Sequence, residues 1–181
     1  VPVGEDQVPH LELCRELVRR VNFLYGDIFP EPQPILSEAP RLLGSDGRKM
    51  SKSYDNCIYL SESERRVEQK VAQMVTDPAR VRRADPGHPE VCSVFDYWKV
   101  FDKHASPQIE ADCRLAGIGC IECKKRLAAK INEALDPIRQ KRANLMAKPK
   151  RIDEVLREGN ERARAFAETT MAEVRGKMNL P

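Results

Sequence analysis

The chain has 181 residues, a formal net charge of +3 and six cysteines. Charged residues make up 33% of it and aromatic residues only 6%, which favours a helix-rich protein over a β-sandwich. The mild charge permits an anionic partner without demanding one, so any nucleic-acid site must rest on local basic patches. No apolar stretch approaches the roughly 18 residues of a membrane helix, and the N-terminus lacks a signal-peptide pattern. These features predict a cytoplasmic protein with no membrane partner.

The first residues indicate the end of a strand followed by a helix. The apolar residues 1–3 precede Gly4, and acidic residues at Glu5 and Asp6 suit a helix start. An apolar face follows, made of Leu11, Cys14, Val18 and Val21 with Leu17 and Leu24 beside it. This unit is typical of an α/β domain. Because the chain enters it without an initial methionine, we expect a fragment of a longer protein.

A proline-rich connection and a short hairpin come next. Four prolines between residues 26 and 40 exclude regular helix there. The stretch RLLGSDG then predicts a short strand closed by a turn at Ser45-Asp46-Gly47. The residues after it, GRKMSKSYDN, run from Gly47 to Asn56 and place two lysines and two serines within five positions.

Beyond about residue 60 the pattern becomes helical. Ser61 and Glu64 have capping-box spacing, and residues 67–75 continue with apolar residues at helical intervals. Residues 93–103 carry a second apolar face, made of Val94, Phe95, Trp98 and Phe101. We interpret Trp98 and Phe101 as core residues rather than as platforms for stacked bases.

Further helices complete this half. Ser106 is predicted as an N-cap with Pro107 at the first helical position. A long helix is predicted from about residue 122 to 146, kinked near Pro137. The last two predicted helices are residues 152–158 and 161–178, with Gly159 between them.

The segment Lys49–Ser53, called the KMSKS loop below, has the composition of a polyphosphate site. Lys49 and Lys52 bring two ammonium groups to one loop, Ser51 and Ser53 add hydroxyl donors, and nearby glycines let backbone N–H groups approach a ligand. Such point charges suit a polyphosphate. They would stabilise a leaving pyrophosphate more in the transition state than in the substrate. The alternative is a solvated basic turn.

Four of the six cysteines have the compact spacing C-x20-C-x6-C-x2-C. They are Cys92, Cys113, Cys120 and Cys123. Thiolates at this spacing can surround one metal centre, and the spacing leaves zinc and [4Fe–4S] both open. Four unconnected core cysteines are the other possibility. Cys14 and Cys57 are interpreted as packing residues.

Two basic clusters are candidates for RNA contact. Residues 138–151 carry six lysines and arginines and no acidic residue. Arg80, Arg82 and Arg83 form the second cluster. RNA phosphates need such groups, although a charge run is also what a solvated face looks like. His10, in a first helical turn, is interpreted as a packing or solvent residue.

The string KMSKS resembles the second signature of the class I aminoacyl-tRNA synthetases. Within that class, VPVGEDQ at residues 1–7, HLELCRELVRRVN after it and RIDEVLREGNERARAF near the C-terminus resemble the tryptophan-specific enzymes. The resemblance runs over essentially the whole chain. It implies the α/β tail of a Rossmann-like catalytic domain over residues 1–60 and an all-α anticodon-binding domain over residues 61–181, with the last helix packing back on the catalytic domain. A tyrosine-specific relative is a narrower alternative.

The resemblance also implies an activity: ATP-dependent ligation of tryptophan to its cognate tRNA through tryptophanyl-adenylate, with Mg²⁺, by an enzyme that is a homodimer at full length. A different class of function, a non-catalytic metal-stabilised RNA-binding module, is the alternative. The family's first signature and the carboxylate that binds the indole N–H are absent and would lie upstream of Val1. We therefore expect the chain alone to be inactive.

The resemblance assigns residue roles as well. Val3 and the Gly4-Glu5-Asp6 turn would line the adenosine of ATP, with Asp6 on the ribose hydroxyls. Gln7 would face tryptophan or its carboxylate, Leu42 would border the adenine, and Met50 would hold the adenine through its backbone. Lys49, Ser51, Lys52 and Ser53 would hold the phosphates, with Lys49 and Lys52 as the catalytic residues.

For the cysteines, the resemblance favours iron–sulfur. A subset of bacterial tryptophan enzymes has a nearly identical cysteine pattern, with two more residues in the first gap, and binds a [4Fe–4S] cluster in the anticodon-binding region. A cluster on Cys92, Cys113, Cys120 and Cys123 would be structural or would contact tRNA. Zinc remains the alternative occupant.

Overall fold

A computed structural model describes residues 1–36 and 42–181. Over these residues the α-helices are α1 (Val8–Tyr25), α2 (Glu64–Gln73), α3 (Ser93–Phe101), α4 (Ser106–Arg114), α5 (Cys120–Met146) and α6 (Pro149–Met178). Short 3-10 turns cover Glu5–Gln7, Lys52–Tyr54 and Pro89–Val91. The predominance of helix agrees with the composition. Within the described ranges, none of the helices has the length and apolar character needed to cross a bilayer.

The chain forms two compact units. One combines Val1–Arg41 with Leu145–Pro181, and the other is Leu42–Asn144. The division into domains near residue 60 stays a prediction. Pro40 of the proline-rich connection and Arg41 of the predicted short strand lie outside the described residues.

In the first unit, the N-terminal residues pair with the returning chain. Pro2 and Ile35 form an isolated parallel bridge, in which the Val3 N–H donates to the Ile35 carbonyl at 3.1 Å. Glu5–Gln7 then make one 3-10 turn that leads into α1. The predicted strand end is thus a single bridge, because only one neighbouring segment is present to pair with it among the described residues.

The C-terminus of α1 is held by Asn22. Gly26 follows the helix with φ +85°, and its N–H donates to the Asn22 carbonyl at 2.9 Å. The Asn22 side chain accepts from the N–H groups of Ile28 and Phe29 at 3.0 and 3.1 Å and donates to the Phe29 carbonyl at 2.8 Å. One asparagine therefore turns the chain back beside its own helix.

The predicted apolar face of α1 is only partly correct. Leu11, Val18 and Val21 are half-buried, whereas Cys14, Leu17 and Leu24 are exposed. The interpretation of Cys14 as a packing residue is therefore wrong. A stripe this narrow covers little of the helix, so Cys14 lies beyond its edge.

The C-terminal region is one helix rather than the predicted two. α6 runs without a break through Gly159, whose ideal Cβ position has no neighbour within 4 Å. One glycine costs a helix about 1 kcal/mol, which the good helix formers on both sides offset. Near its C-terminus the Lys177 ammonium donates to the Asp27 carbonyl, beside the end of α1.

The second unit contains the apolar core. Its buried members come from α2 and the residue after it (Val67, Val71; Met74), α3 (Val94, Phe95, Tyr97, Trp98), α4 (Ile109), the connection before α5 (Ile118) and α5 (Leu127, Ala128, Ile131, Leu135). The predicted faces of residues 67–75 and 93–103 are confirmed except at Val75, which follows α2 and is 45% exposed. Trp98, at 2% exposure, is a core residue as predicted, and Phe101 is half-buried and stacks on Tyr97.

Two helix starts differ from prediction. Ser63, not Ser61, caps α2, accepting from the Arg66 N–H at 3.3 Å, because a turn closed by the Glu62 N–H comes first. Ser106 is the first residue of α4 and not its cap; its hydroxyl donates to the Lys103 carbonyl at 3.0 Å. α5 begins at Cys120 and includes Pro137.

Candidate functional site

The KMSKS loop follows a tight hairpin in the second unit. Leu43 and Lys49 form an antiparallel bridge, and the Gly44 N–H donates to the Arg48 carbonyl at 2.7 Å. Gly47, with φ +76°, supplies the left-handed backbone that the predicted Ser45-Asp46-Gly47 turn needs. This hairpin confirms the turn and fixes where the loop begins.

Within the loop, the apolar residue points inward and the lysines do not. Met50 is half-buried and packs against the core, whereas Lys49 and Lys52 are exposed. Ser51 caps the Lys52–Tyr54 turn by accepting from the Ser53 N–H at 3.2 Å. Neither lysine ammonium has a hydrogen bond or ion pair to any residue in the described ranges. Both are therefore available to an anionic ligand.

The neighbouring arginine is engaged elsewhere. Arg48 donates to Asp46 Oδ2 at 2.8 Å and lies 4.5 Å from the centre of the Tyr54 ring. Hydrogen bonds from the Asn56 amide, and then from the Arg48 backbone, lower the pKa of Asp46 to about 2. Asp46 is therefore ionised at neutral pH and neutralises Arg48, so the two lysines supply the uncompensated charge.

Two buried polar residues beside the loop were not predicted. Asn56 is 2% exposed and hydrogen-bonds to both Asp46 and the loop backbone. Lys70, on α2, is 4% exposed and contacts Asp55 and Glu62. Nothing in the spacing of the sequence indicates either contact. The half-buried Cys57 contributes its carbonyl oxygen, which accepts from Lys70 at 2.6 Å.

The other predicted nucleotide-site residues divide between the two units. Leu42 belongs to the second unit with the loop and packs against its core. In the first unit, Val3 and Gly4 are half-buried. Glu5, Asp6 and Gln7 are exposed in the 3-10 turn, where the Gln7 side chain donates to Asp6 Oδ2 at 3.1 Å. The binding roles assigned to these residues stay predictions. His10 is exposed, in agreement with a solvent position.

The four motif cysteines lie at the starts of α3 and α5 and at the end of α4, in the second unit. Cys92 immediately precedes α3, Cys113 lies in α4, and Cys120 and Cys123 lie in the first turn of α5. All four are half-buried. Burial is the main cause that raises the pKa of Cys113 and that raises the pKa of Cys123 to about 11, while Arg80 and Trp98 act in the opposite direction on Cys113 and Cys123 respectively.

Two nitrogen donors and one glycine surround these thiols. The Trp98 indole N–H donates to Cys123 Sγ at 3.3 Å, and Arg80 Nη1 donates to Cys113 Sγ at 3.6 Å. A Cβ on Gly87 would lie 2.4 Å from Cys113 Sγ, so no side chain fits there. Over residues 1–36 and 42–181, however, no three Cys, His, Asp or Glu side chains converge as ligands of one metal ion. The predicted metal site stays a prediction.

The predicted basic clusters contain both structural and exposed residues. Arg80 Nη2 donates to the carbonyls of Arg83 and Ile118 at 3.1 and 2.8 Å, and Arg139 Nε donates to the Glu62 carbonyl at 2.7 Å. These two arginines therefore stabilise the fold by binding backbone carbonyls of other segments. A cavity of about 670 Å³ is lined by four arginines, Arg80, Arg82, Arg83 and Arg126, and by two acidic residues, Asp112 and Glu122. Arg126 pairs with Glu122 at 2.8 Å, so Arg82 and Arg83 are the exposed arginines of this cavity whose side chains have no carboxylate partner among the described residues. Lys141, Arg142, Lys148, Lys150 and Arg151 are exposed.

The family assignment follows from a sequence profile described as tRNA synthetases class I (W and Y), which matches residues 1–136. The chain therefore belongs to this family of class I aminoacyl-tRNA synthetases. It is 51% identical to the tryptophan–tRNA ligase of Aquifex aeolicus over 183 residues, which cover 100% of this chain and 46% of the relative. It is 50% identical to the tryptophan–tRNA ligase of Thermotoga maritima over 182 residues, covering 99% of this chain and 56% of the relative.

Solved structures give the same result. The chain is similar to tryptophanyl-tRNA synthetase from Campylobacter jejuni complexed with ADP and tryptophan, with a TM-score of 0.75 and 32% identity. That match covers 99% of this chain and 56% of the other. The chain thus spans about half the length of the curated relatives it matches. The chain has the class I tRNA synthetase fold, and the part of that fold that it spans is mostly helical.

Proposed function

We propose that this chain supplies the KMSKS half and the tRNA-binding region of an enzyme that ligates tryptophan to its cognate tRNA. In this proposal ATP, with Mg²⁺, and tryptophan form tryptophanyl-adenylate before tRNA accepts the amino acid. The observation that carries it is the exposure of Lys49 and Lys52 on a loop whose backbone is tied to buried groups. Two ammonium groups there can stabilise the charge that grows on the departing pyrophosphate.

The substrate and the domain roles are part of the same proposal. The tryptophan enzymes named above support tryptophan rather than tyrosine, and the Campylobacter structure, with ADP and tryptophan, supports a site for both kinds of ligand. We assign residues 1–60 to the tail of a Rossmann-like catalytic domain and residues 61–181 to an anticodon-binding domain. The homodimer remains a prediction for the full-length enzyme.

The test joins this chain to the upstream half of its natural protein and measures tryptophan-dependent exchange of pyrophosphate into ATP. Lys49→Ala and Lys52→Ala should each lower kcat by about 100-fold, the usual cost of removing one transition-state donor. Lys125→Ala, an exposed lysine of α5, is the matched control and should leave the rate unchanged. Pyrophosphate exchange at the wild-type rate in both loop variants would contradict the proposal.

Two further measurements separate this proposal from a non-catalytic RNA-binding module. The 181-residue chain alone should give negligible exchange, and robust exchange would disprove the assignment of essential groups to the upstream half. In the joined protein, ATP should protect Lys49 and Lys52 from chemical modification. Lack of protection would favour the module.

We propose that Cys92, Cys113, Cys120 and Cys123 hold a [4Fe–4S] cluster, which when bound would link the starts of α3 and α5 to α4. Two observations support a fit: Trp98 and Arg80 donate to two of the sulfurs, and Gly87, which has no side chain, lets the Cys113 sulfur lie close against its backbone. In such a cluster each thiolate binds a different iron, so the ligands need not converge on one ion as they do around zinc.

Metal content tests the cluster. The anaerobically purified chain should contain about four iron atoms and matching acid-labile sulfide. Cys123→Ser should abolish both, whereas Cys14→Ser, at an exposed cysteine, should change neither. Stoichiometric zinc without iron would contradict the cluster and support the alternative occupant.

We propose that tRNA phosphates contact the arginine-lined cavity and the exposed basic residues near the end of α5. Arg82→Ala and Arg83→Ala should each weaken tRNA binding and reduce the salt slope by about one unit, as expected for one lost phosphate contact. Arg114→Ala, at an exposed arginine paired with Glu110 at 2.9 Å, is the control. Unchanged slopes in both cavity variants would contradict this surface.

A further inference from the structure

The backbone of the KMSKS loop is held by one buried side chain outside the loop, that of Asn56. The Ser51 N–H donates to its Oδ1 at 2.8 Å. Its Nδ2 donates to Asp46 Oδ1 at 2.8 Å and to the Lys49 carbonyl at 3.1 Å. With 2% exposure, Asn56 has almost no access to water that could replace these bonds. The single amide of Asn56 therefore binds the loop at the Lys49 carbonyl and at the Ser51 N–H, and it also binds Asp46 in the turn before the loop.

The chemistry of the partners demands an amide at this position. The Asp46 carboxylate and the Lys49 carbonyl can only accept, while the Ser51 N–H can only donate. An asparagine side chain offers both functions from one planar group. Aspartate has the same shape but only acceptors when ionised, so it would face the Asp46 carboxylate and the Lys49 carbonyl without a proton between them.

The backbone of the preceding hairpin leaves the space that Asn56 fills. A Cβ added to Gly44 would lie 2.4 Å from Asn56 Nδ2 and 2.9 Å from the Asn56 carbonyl oxygen. The Ser45 N–H donates to that carbonyl at 2.8 Å. Any side chain at Gly44 would therefore displace the asparagine, which makes Gly44→Ala a second, independent way to test its role.

We propose that Asn56 is the positioning residue of the KMSKS loop. It fixes the backbone at Lys49 and at Ser51, and so positions Lys49 directly and Lys52 through the adjoining Ser51. Asn56 itself touches no phosphate in this scheme and acts through the lysines. Its part in catalysis rests on the function proposed above, whereas its hold on the loop does not.

The hold on the loop can be measured on this chain without any activity. Trypsin cleaves after Lys49 and Lys52 only when the loop opens, so Asn56→Asp and Gly44→Ala should raise the cleavage rate there by about tenfold or more, as loss of buried hydrogen bonds predicts. Asn160→Asp makes the same chemical change at an exposed position of α6 and should have no effect. Unchanged cleavage in both test variants would overturn the proposal.

Loss of overall stability must be distinguished from loss of loop order. Leu127→Ala removes a fully buried core side chain far along the sequence and serves as the comparison at equal loss of thermal stability. If Leu127→Ala increases loop cleavage as much as Asn56→Asp does, Asn56 has no specific role and the proposal fails. A clear excess in Asn56→Asp supports it.

A reciprocal exchange tests the pairing itself. The double variant Asp46→Asn with Asn56→Asp restores a donor opposite the new carboxylate and keeps the Ser51 bond, while the Lys49 carbonyl stays without a donor. Its loop should be cleaved faster than wild type and more slowly than Asn56→Asp alone. Cleavage as fast as in the single variant would show that the 46–56 bond does not hold the loop.

The catalytic consequence is read in the joined protein. Asn56→Asp should lower kcat for tryptophan-dependent pyrophosphate exchange by about tenfold or more, with little change in KM for tryptophan, because the pyrophosphate side of the reaction loses its alignment. If the wild-type joined protein shows no exchange, the proposed function fails while the cleavage result stands. If exchange is normal in Asn56→Asp despite a loosened loop, the catalytic part of this inference is overturned and the proposed function remains.

Discussion

The ammonium of Lys70 lies 2.6 Å from Glu62 Oε1, in an ion pair whose side chains are 4% and 11% exposed. Lys70 also donates to Asp55 at 3.0 Å and to the Cys57 carbonyl at 2.6 Å. Burial lowers the pKa of Lys70, but the hydrogen bonds to Glu62 and Asp55 outweigh burial, and the pKa is raised. Lys70 therefore stays charged and ties the segment after the KMSKS loop to α2.

Replacement of Lys70 by methionine should be costly, because it leaves a buried carboxylate without its partner. We expect the free energy of unfolding, measured by urea denaturation, to fall by about 3 to 5 kcal/mol. Arg66→Met is the matched control: Arg66 lies 2.7 Å from the same Asp55, but its side chain is 49% exposed. It should cost no more than about 1 kcal/mol. Equal losses in the two variants would show that burial of the pair is unimportant.

The low pKa of Asp46 means that its contribution to the stability of the loop is lost only in strong acid. Its folded-state pKa of about 2 lies below the ordinary value of an aspartate, so its contribution to stability is complete above that ordinary value and is lost as pH falls through about 2. Carboxyl-carbon NMR should show this midpoint directly. Asn56→Ala removes the principal donor and should raise the midpoint toward that of an exposed aspartate. An unchanged midpoint would mean that Asn56 does not hold Asp46.

The contribution of Asp77 to stability depends on pH with the same sign, through a different set of hydrogen-bond donors. His88 donates to Asp77 through Nδ1 at 2.8 Å and through its backbone N–H at 3.0 Å, and the Ala79 N–H adds a third bond at 2.8 Å. These donors, the His88 side chain first, lower the pKa of Asp77. Its stabilisation should therefore be present at neutral pH and fade in acid, below the ordinary aspartate value. Asp77→Asn should lower the thermal midpoint by a few degrees at neutral pH and flatten its acid dependence.

The corresponding control is a carboxylate with fewer donors. Asp153, on α6, is exposed, and Asp153→Asn should leave both the midpoint and its acid dependence unchanged. If Asp77→Asn and Asp153→Asn have the same pH profile, the three bonds to Asp77 do not stabilise the folded chain. Differential scanning calorimetry at several pH values makes the comparison.

Gly159→Ala should stabilise the chain. The glycine lies inside α6 with open space around its Cβ position, so alanine adds no clash and reduces the freedom of the unfolded chain. A gain of about 0.4 to 1 kcal/mol is expected. Gly26→Ala is the contrasting variant, because its Cβ position is equally open but its φ of +85° disfavours any side chain. It should destabilise, and a gain at Gly26 would contradict the argument from backbone conformation.

Features that depend on local periodicity, such as buried helix faces, could be predicted from the sequence. Features that depend on contacts between residues distant in the sequence, such as buried polar groups, could not. The buried faces of α2 and α3 follow from helical spacing, and the hairpin at Gly47 follows from turn chemistry. The N-cap of α2 could not be assigned, because Ser61 and Ser63 both precede the helix and the hydrogen bond of the preceding turn decides between them. The start of α4 was misplaced by one residue, because Ser106 is already helical and Ala105 stands at the cap position. Lys70 and Asn56 belong to residue types that are mostly exposed in folded proteins, so a surface position was the natural expectation for both. Their burial depends on partners up to 15 residues away, which no local pattern contains.

The bonds of Asn56 and Ser51 also bear on the entropy of ligand binding. Ordering one residue's backbone costs about 1 to 2 kcal/mol, and a disordered loop would have to meet that cost for each residue when a nucleotide arrives. Here the backbone at Lys49 and Ser51 is already fixed by hydrogen bonds to Asn56 within the fold. Only the flexible stems of two exposed lysines remain to be restrained. A polyphosphate would therefore meet a surface whose conformational cost was met during folding, and more of its contact energy would remain for affinity.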